Sequence, residues 1–312
     1  MQNWIKSLRQ DHLDLNFRAA GGLDVEIVER PGLWMPDERL QTLTEALRQV
    51  ASTTLDAGSL TYGVFSGDPT RLENTIVTLI RRRDGHPVAF NALALMDVDH
   101  GGTPERVLHL GLVMVDPGER SKGIAWILYG LTCILLLLRA GFRPLYVSNV
   151  TQVPAVVGMV AETFSEVHPT PDATDLTDFR KLLLAREIMA NHRHVFGVGD
   201  DATFDEAAFV IENAYTGGSD DLKKTFEDAP KHRDATYNDF CRERLDYDRG
   251  DDILQIGKID LATIRSYLMR SVPKGSIAQV TALGAFILIQ RAVLPVFHWF
   301  DTTKPSGPLR PA

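Results

Sequence analysis

RVLHLGLVMVDPGERSKGIA, residues 106–125, decides how this chain is read. Its first part is an apolar run containing His109 and ended by Pro117, and its second places Arg120, Lys122 and Gly123 where a long leucine-rich segment begins. The apolar run, 106–117, reads as a strand stopped by a proline, which cannot donate to a ladder. From about Ser121 the pattern becomes a helix reaching Ala140, with Gly141 as its C-terminal signal. Where a strand hands over to a helix, the first helical N–H groups lack intrahelical partners and carry the positive end of the dipole, so an anion is stabilised there. Gly123 lets the backbone approach a phosphate, and Arg120 and Lys122 add charge. The physical reading is a phosphate or pyrophosphate site; a solvated turn before a core helix is the alternative.

Residues 24–30 (DVEIVER) alternate as a half-buried strand, and a helix with an acidic start follows from Asp37. Residues 75–98 read as two strands joined at Asp84-Gly85, a dipeptide that accepts the positive φ of a hairpin turn. RPLYVSNV, 143–150, is strand-like, and VPAVVGMVAETF, 153–164, is a short helix with a proline near its start. The order through 164 is then β, α, β, β, β, α, β, α. Beyond His168 the pattern predicts a helix over 174–190, a strand within AAFVIENAY, a polar stretch over 216–239, a strand in DILQIGKI, and a helix over 260–270. This is an α/β (α+β) chain with a mixed central sheet and an added helical C-terminal segment.

With 41 Asp and Glu against 33 Lys and Arg, the net charge of −8 excludes a surface that is wholly a nucleic-acid footprint. Any anionic ligand must be held locally. Two cysteines, Cys133 and Cys241, sit in no metal-ligand spacing, and the N-terminal residues hold no apolar core of secretory length, so a cytoplasmic setting is expected. Residues 128–138 are too continuously apolar for a surface helix and are expected in the core. The run 277–300 is long enough to span a bilayer, but Gln290, Arg291 and Pro295 argue against spanning. Its fates are a buried closing helix or an interfacial or subunit-contacting one carrying Phe297, Trp299 and Phe300, which leaves open a peripheral contact with the inner face of a membrane and a homodimer.

Arg120, Gly123 and Ala125 form an R-x-x-G-x-A pattern, Val115 and Pro117 form a V-x-P lead-in, and both sit within the element order above. In these features about half the chain resembles the GNAT superfamily of N-acetyltransferases. The resemblance implies a sheet whose parallel strands splay apart, here 106–116 and 143–150, with acyl-coenzyme A as cosubstrate, acetyl or long-chain, and no metal. An acyl carrier protein thioester is the alternative donor. It implies that backbone near Val113 and Val115 holds the pantetheine arm, and that Arg120, Ser121, Lys122, Gly123, Ile124 and Ala125 bind the pyrophosphate. It divides the chain into an acyl-CoA-binding core over 1–170, remaining strands and acceptor-side insertions over 171–260, and an apolar helical segment over 261–312. Two departures stand out: Val160 occupies the position of the family's usual tyrosine acid, and Val153 that of its asparagine.

Direct acyl transfer needs a neutral amine beside the thioester, a group to take its proton, and a donor for the departing thiolate. His109 shares side-chain parity with Val113 and Val115, and a near-neutral imidazole suits the base; a satisfied sheet histidine is the bland alternative. Tyr146 and Ser148 are candidates to donate to sulfur, and Asn149 and Gln152 to orient the substrate. Residues 149–152 equally suit capping of the next helix. Asp97, Asp99 and His100, beside Gly101-Gly102, read as a solvated hairpin end rather than a metal site. Glu212, Tyr215 and the run RERLDYDRGDD receive no role. The expected activity is N-acylation of a small-molecule or lipid amine, against acetylation of a small amine or protein, or a silent acyl-CoA-binding or membrane-surface protein of the same fold.

Overall fold

A computed structural model of the chain describes residues 11–19, 21–55, 63–120, 124, 126–172, 178–217 and 222–300. In chain order the elements are β1 (Asp14–Arg18), β2 (Asp24–Glu29), the short α1 (Pro31–Trp34), α2 (Asp37–Ala51), β3 (Thr75–Arg81), β4 (Pro87–His100) and β5 (Thr103–Val115). A π-helical turn over Trp126–Leu131 leads into α3 (Thr132–Arg139), followed by β6 (Leu145–Thr151), α4 (Pro154–Thr163) and β7 (Ser165–His168). Then come α5 (Phe179–Glu187), a second π-helical turn over Ile188–His192, β8 (Thr203–Asp205), β9 (Val210–Glu212), α6 (Ala235–Arg244), β10 (Asp252–Ile259), α7 (Leu261–Arg270) and α8 (Ile277–Phe300). The strands form a mixed sheet in the order β1-β2-β3-β4-β5-β6-β10-β9-β8, with β7 also pairing with β10. The chain groups into two compact units, one of residues 1–92, 112–143 and 267–312, the other of 93–111 and 144–266.

In the first unit β2 pairs antiparallel with both β1 and β3. The β3–β4 turn closes through Arg82 N–H donating to His86 O at 2.9 Å, with Gly85 at φ 87°, as the Asp84-Gly85 dipeptide predicts. Helix α2 presents Leu40, Leu43, Leu47 and Val50 to one face of the sheet, against Val28, Val77, Leu79 and Phe90. Alternation along β3 turns Thr78 to the opposite face, where its hydroxyl meets that of Thr132 of α3 at 2.9 Å. Asn91 reaches the same side and donates to Leu128 O in the π-helical turn. Helix α3 ends in a left-handed Gly141 (φ 72°), the predicted terminus, and Phe142 N–H returns to Leu137 O at 3.0 Å.

Helix α8 packs one side against α3 and buries Val280, Leu283, Phe286, Ile287 and Gln290. It is the one helix among the described residues long and apolar enough to cross a membrane, and only 28% of that stretch is buried. The run 277–300 is therefore one helix with a buried and an exposed side.

In the second unit β10 is buried along nearly its whole length, because it is central and covered on both faces. It pairs antiparallel with β6, from Ile253–Thr151 to Ile259–Leu145, and with β7 and β9. One face packs Val107, Leu254 and Ile256 under Leu184, Ile188 and Met189 of α5 and its π-helical extension. The other packs Ile253 and Val210 against Val157 of α4 and Phe240 and Cys241 of α6.

The predicted strands and helices from 24 to 164 are present, with β5 beginning at Thr103 rather than 106; the helix expected from about Ser121 is helical only from Trp126, first as the π-helical turn, and Ile124 lies outside it. The strands β1, β7 and β8 were not expected, and the polar stretch 216–239 contains the start of α6. The 174–190 helix is α5, beginning at Phe179 and capped by Asp178 Oδ1, which accepts from Arg180 N (3.0 Å); residues 174–177 lie outside the described residues.

Candidate functional site

Strands β5 and β6 run parallel and share three residue pairs, Val107–Tyr146, Leu108–Val147 and His109–Ser148. Both strands outrun this ladder, β5 to Val115 and β6 to Thr151. The last shared pair carries two of the expected residues on one face. His109 Nδ1 lies 3.1 Å from Ser148 Oγ, and the Phe196 ring stacks on the imidazole with centroids 4.9 Å apart. His109 is 4% exposed and Ser148 fully buried. Burial lowers the imidazole to about 4, so it is neutral at pH 7, with one ring nitrogen committed to Ser148.

Tyr146 lies two residues back on the same face of β6, half-buried, with Lys258 Nζ 5.6 Å from its ring centroid. Lys258 is held there by Glu166 at 2.7 Å. Arg193 opens the turn that carries Phe196, and its guanidinium donates to Met189 O (2.6 Å) and Ala202 O (3.1 Å). This fixes the segment that follows the π-helical turn and roofs His109.

Asn149 and Gln152 are brought near neither the imidazole nor open surface. Asn149 faces the opposite side of β6, is buried, and donates to Gln255 Oε1 at 3.2 Å. Gln255 in turn donates to Val157 O (3.3 Å) and Pro169 O (3.2 Å), so this pair ties β6 and β10 to α4. Gln152 is fully buried: its amide nitrogen donates to Lys224 O (3.0 Å), and its oxygen accepts from Lys224 N (2.9 Å) and from the Tyr215 hydroxyl (2.5 Å). Tyr215 Oη also lies 3.0 Å from Asp252 Oδ1. Burial raises Asp252 to about 7, with the Tyr215 hydroxyl acting in the opposite direction. Of the capping alternative, Thr151 provides part: its Oγ1 accepts from Val153 N at 3.1 Å.

In the first unit Val113 and Val115 are half-buried on β5, and Asp116 N–H donates to Val88 O at 2.8 Å. The turn over Pro117–Glu119 is closed by Asp116 Oδ1 accepting from Gly118 N (2.7 Å). Glu119 is buried and held by Arg82 at 2.5 Å, and Arg120 is exposed. Ile124 is buried and its carbonyl accepts from Ile127 N (3.0 Å), starting the π-helical turn. Ser121, Lys122, Gly123 and Ala125 lie outside the described residues.

Phe196, Gln255, Tyr215 and Asp252 were not singled out from sequence for these positions. Each meets its partner across 37 or more residues of chain, and only Asp252, in an acidic pair opening an apolar strand, carried a local signal of burial under charge. No group of His, Cys, Asp and Glu suited to a metal ion occurs among the described residues. Compared with known proteins, the chain matches no protein-family model and no curated protein.

Proposed function

We propose that this protein is an N-acyltransferase that moves an acyl group from a coenzyme A thioester to an amine by direct attack. The observation that carries the reading is β5: it bears a buried imidazole where its parallel ladder with β6 ends, then runs on through Val113 and Val115 to a turn and the cation Arg120. The resemblance of RSKGIA to an acyl-CoA pyrophosphate loop supplies the donor class.

In this reaction the amine nitrogen attacks the thioester carbonyl, the C–S bond breaks, and the nitrogen's proton is passed on as the thiolate leaves. His109 is a weak proton acceptor, which suits a nitrogen that has already bonded to the carbonyl carbon and become acidic. Ser148 holds the ring in place, and Tyr146 is the other expected proton donor on that face. Asn149 and Gln152 act as positioning residues for β6. Backbone near Val113 and Val115 would hold the pantetheine, and the 120–125 loop the pyrophosphate.

A second reading, acyl-CoA binding without turnover, is favoured by Val160 in place of the family's tyrosine and by the seal of Phe196 over His109. One experiment separates them. Coenzyme A, acetyl-coenzyme A and palmitoyl-coenzyme A should each raise the melting temperature, and thiol release should follow with an amine panel. Arg120→Glu with Gly123→Asp should abolish the shift; an unchanged shift removes the loop as the anion site. Binding without thiol release on any amine selects the second reading, and His109→Ala with full turnover removes His109 as base.

A further inference from the structure

Helix α8 carries a second pattern that the fold of a single copy leaves unused. Ala278, Ala282, Ala285, Ile289, Ala292, Val296 and Trp299 recur at alternating spacings of four and three, and all are exposed. This is a heptad seam, with Ala282, Ile289 and Val296 at one core position and Ala278, Ala285, Ala292 and Trp299 at the other. The side buried against α3 lies opposite, at Val280, Leu283, Ile287 and Gln290. A helix of this length presents a seam about 36 Å long. Arg291, the single charged residue of α8, is turned off the seam, donating to Leu138 O at 2.8 Å beside the C-terminal end of α3.

We infer that this seam is the contact for a second copy of the chain, with the two α8 helices antiparallel. Two observations choose this occupant and orientation. First, the seam is graded, with alanines towards its start and large side chains towards its end. Parallel pairing would put alanine against alanine at one end and Val296 and Trp299 against their own copies at the other, so the axes could not keep one separation. Antiparallel pairing sets unlike core positions level with each other: Ala282 with the partner's Trp299, Ala285 with the partner's Val296, and Ile289 with the partner's Ala292. Every layer then joins one small and one large side chain, the arrangement that fills an interface evenly. Second, residues 261–300 contain Arg265, Arg270, Lys274 and Arg291 and no Asp or Glu, in a chain with 41 of them. Parallel pairing would crowd Lys274 against its copy, whereas antiparallel pairing places the two Lys274 residues at opposite ends of the pair. A lipid surface asks for apolar area but for neither a heptad period nor graded layers.

The inference does not depend on the proposed activity. The full chain should be a dimer by sedimentation equilibrium at micromolar concentration without detergent. Ile289→Lys, at a position 53% exposed, should weaken dimerisation more than about tenfold with an unchanged circular dichroism spectrum. For orientation, an oxidised mixture of Ala285→Cys and Val296→Cys chains should cross-link to each other, and Val296→Cys alone should not; the native cysteines are both buried. A monomeric wild type, a dimer unaffected by Ile289→Lys, or self-cross-linking of Val296→Cys would each overturn the inference. A wild type that is monomeric and sediments with phosphatidylglycerol vesicles would reassign the face to lipid.

Discussion

His109 and Asp252 are both sealed inside the second unit, and burial moves them in opposite directions along the pH axis. His109 falls from 6.5 to about 4, so between those values the unfolded chain holds a proton that the folded chain does not. Its contribution to stability is present above 6.5 and lost as pH falls towards 4. Asp252 rises from 3.8 to about 7, so the folded chain holds the extra proton; that contribution is present below 3.8 and lost as pH rises through 7. From about pH 4 to 6.5 the two slopes oppose each other, each at roughly 1.4 kcal/mol per pH unit. Urea unfolding at several pH values should therefore show Asp252→Asn gaining stability with rising pH relative to wild type, and His109→Gln losing it. Parallel profiles for all three chains would mean that neither group is titrating as its burial requires. Ser148→Ala tests the same pair by another route: it leaves the buried imidazole without its partner, at a cost of about 1–3 kcal/mol in the same unfolding experiment.

At the level of elements, the π-helical turn before α3 depends on a residue with no side chain. A methyl group at Gly130 would fall within the Tyr267 ring of α7, so Gly130→Ala should cost about 1–3 kcal/mol by thermal or urea unfolding. In a double-mutant cycle Tyr267→Ala should recover part of that cost, and strict additivity would show that the ring is not the obstacle. Helix α6 depends instead on its start, where Asp234 Oδ1 accepts from Thr236 N at 3.0 Å; Asp234→Ala should cost about 1 kcal/mol. These elements also show what could be read from sequence. The hairpin at Asp84-Gly85, the α3 terminus at Gly141 and the strand β5 were legible because each has a local cause: a turn dipeptide, a left-handed glycine, an apolar run closed by proline. Strands such as β8, three residues long, complete too little of a two-residue period to be recognised. Helix α6 buries only Phe240 and Cys241 among its ten residues, so its cap was a better signal than its pattern. At the site, the placement of His109 on a strand was legible, and its pairing with Ser148 follows from register. The Phe196 roof and the Tyr215–Asp252 chain were not, because tertiary packing alone brings them there.

For the whole molecule, the path of the chain decides how the stability of one unit bears on the other. The chain passes between units four times, at 92–93, 111–112, 143–144 and 266–267. Three of these crossings fall inside β4, β5 and α7, so neither unit can unfold without breaking hydrogen-bonded elements that continue into the other. The tryptophans among the described residues, Trp34, Trp126 and Trp299, belong to the first unit, so their fluorescence reports that unit while circular dichroism reports both. Phe209 is fully buried in the second unit, among Phe204, Leu254 and Ile256, and Phe209→Ala should remove about 3–5 kcal/mol from that core. If the continuous elements enforce one cooperative transition, the tryptophan midpoint of this variant falls in step with the circular dichroism midpoint, although no tryptophan among the described residues lies in the damaged unit. A tryptophan midpoint that stays at its wild-type value while circular dichroism becomes biphasic would mean that β4, β5 and α7 fray at the crossings and that the units are thermodynamically separate.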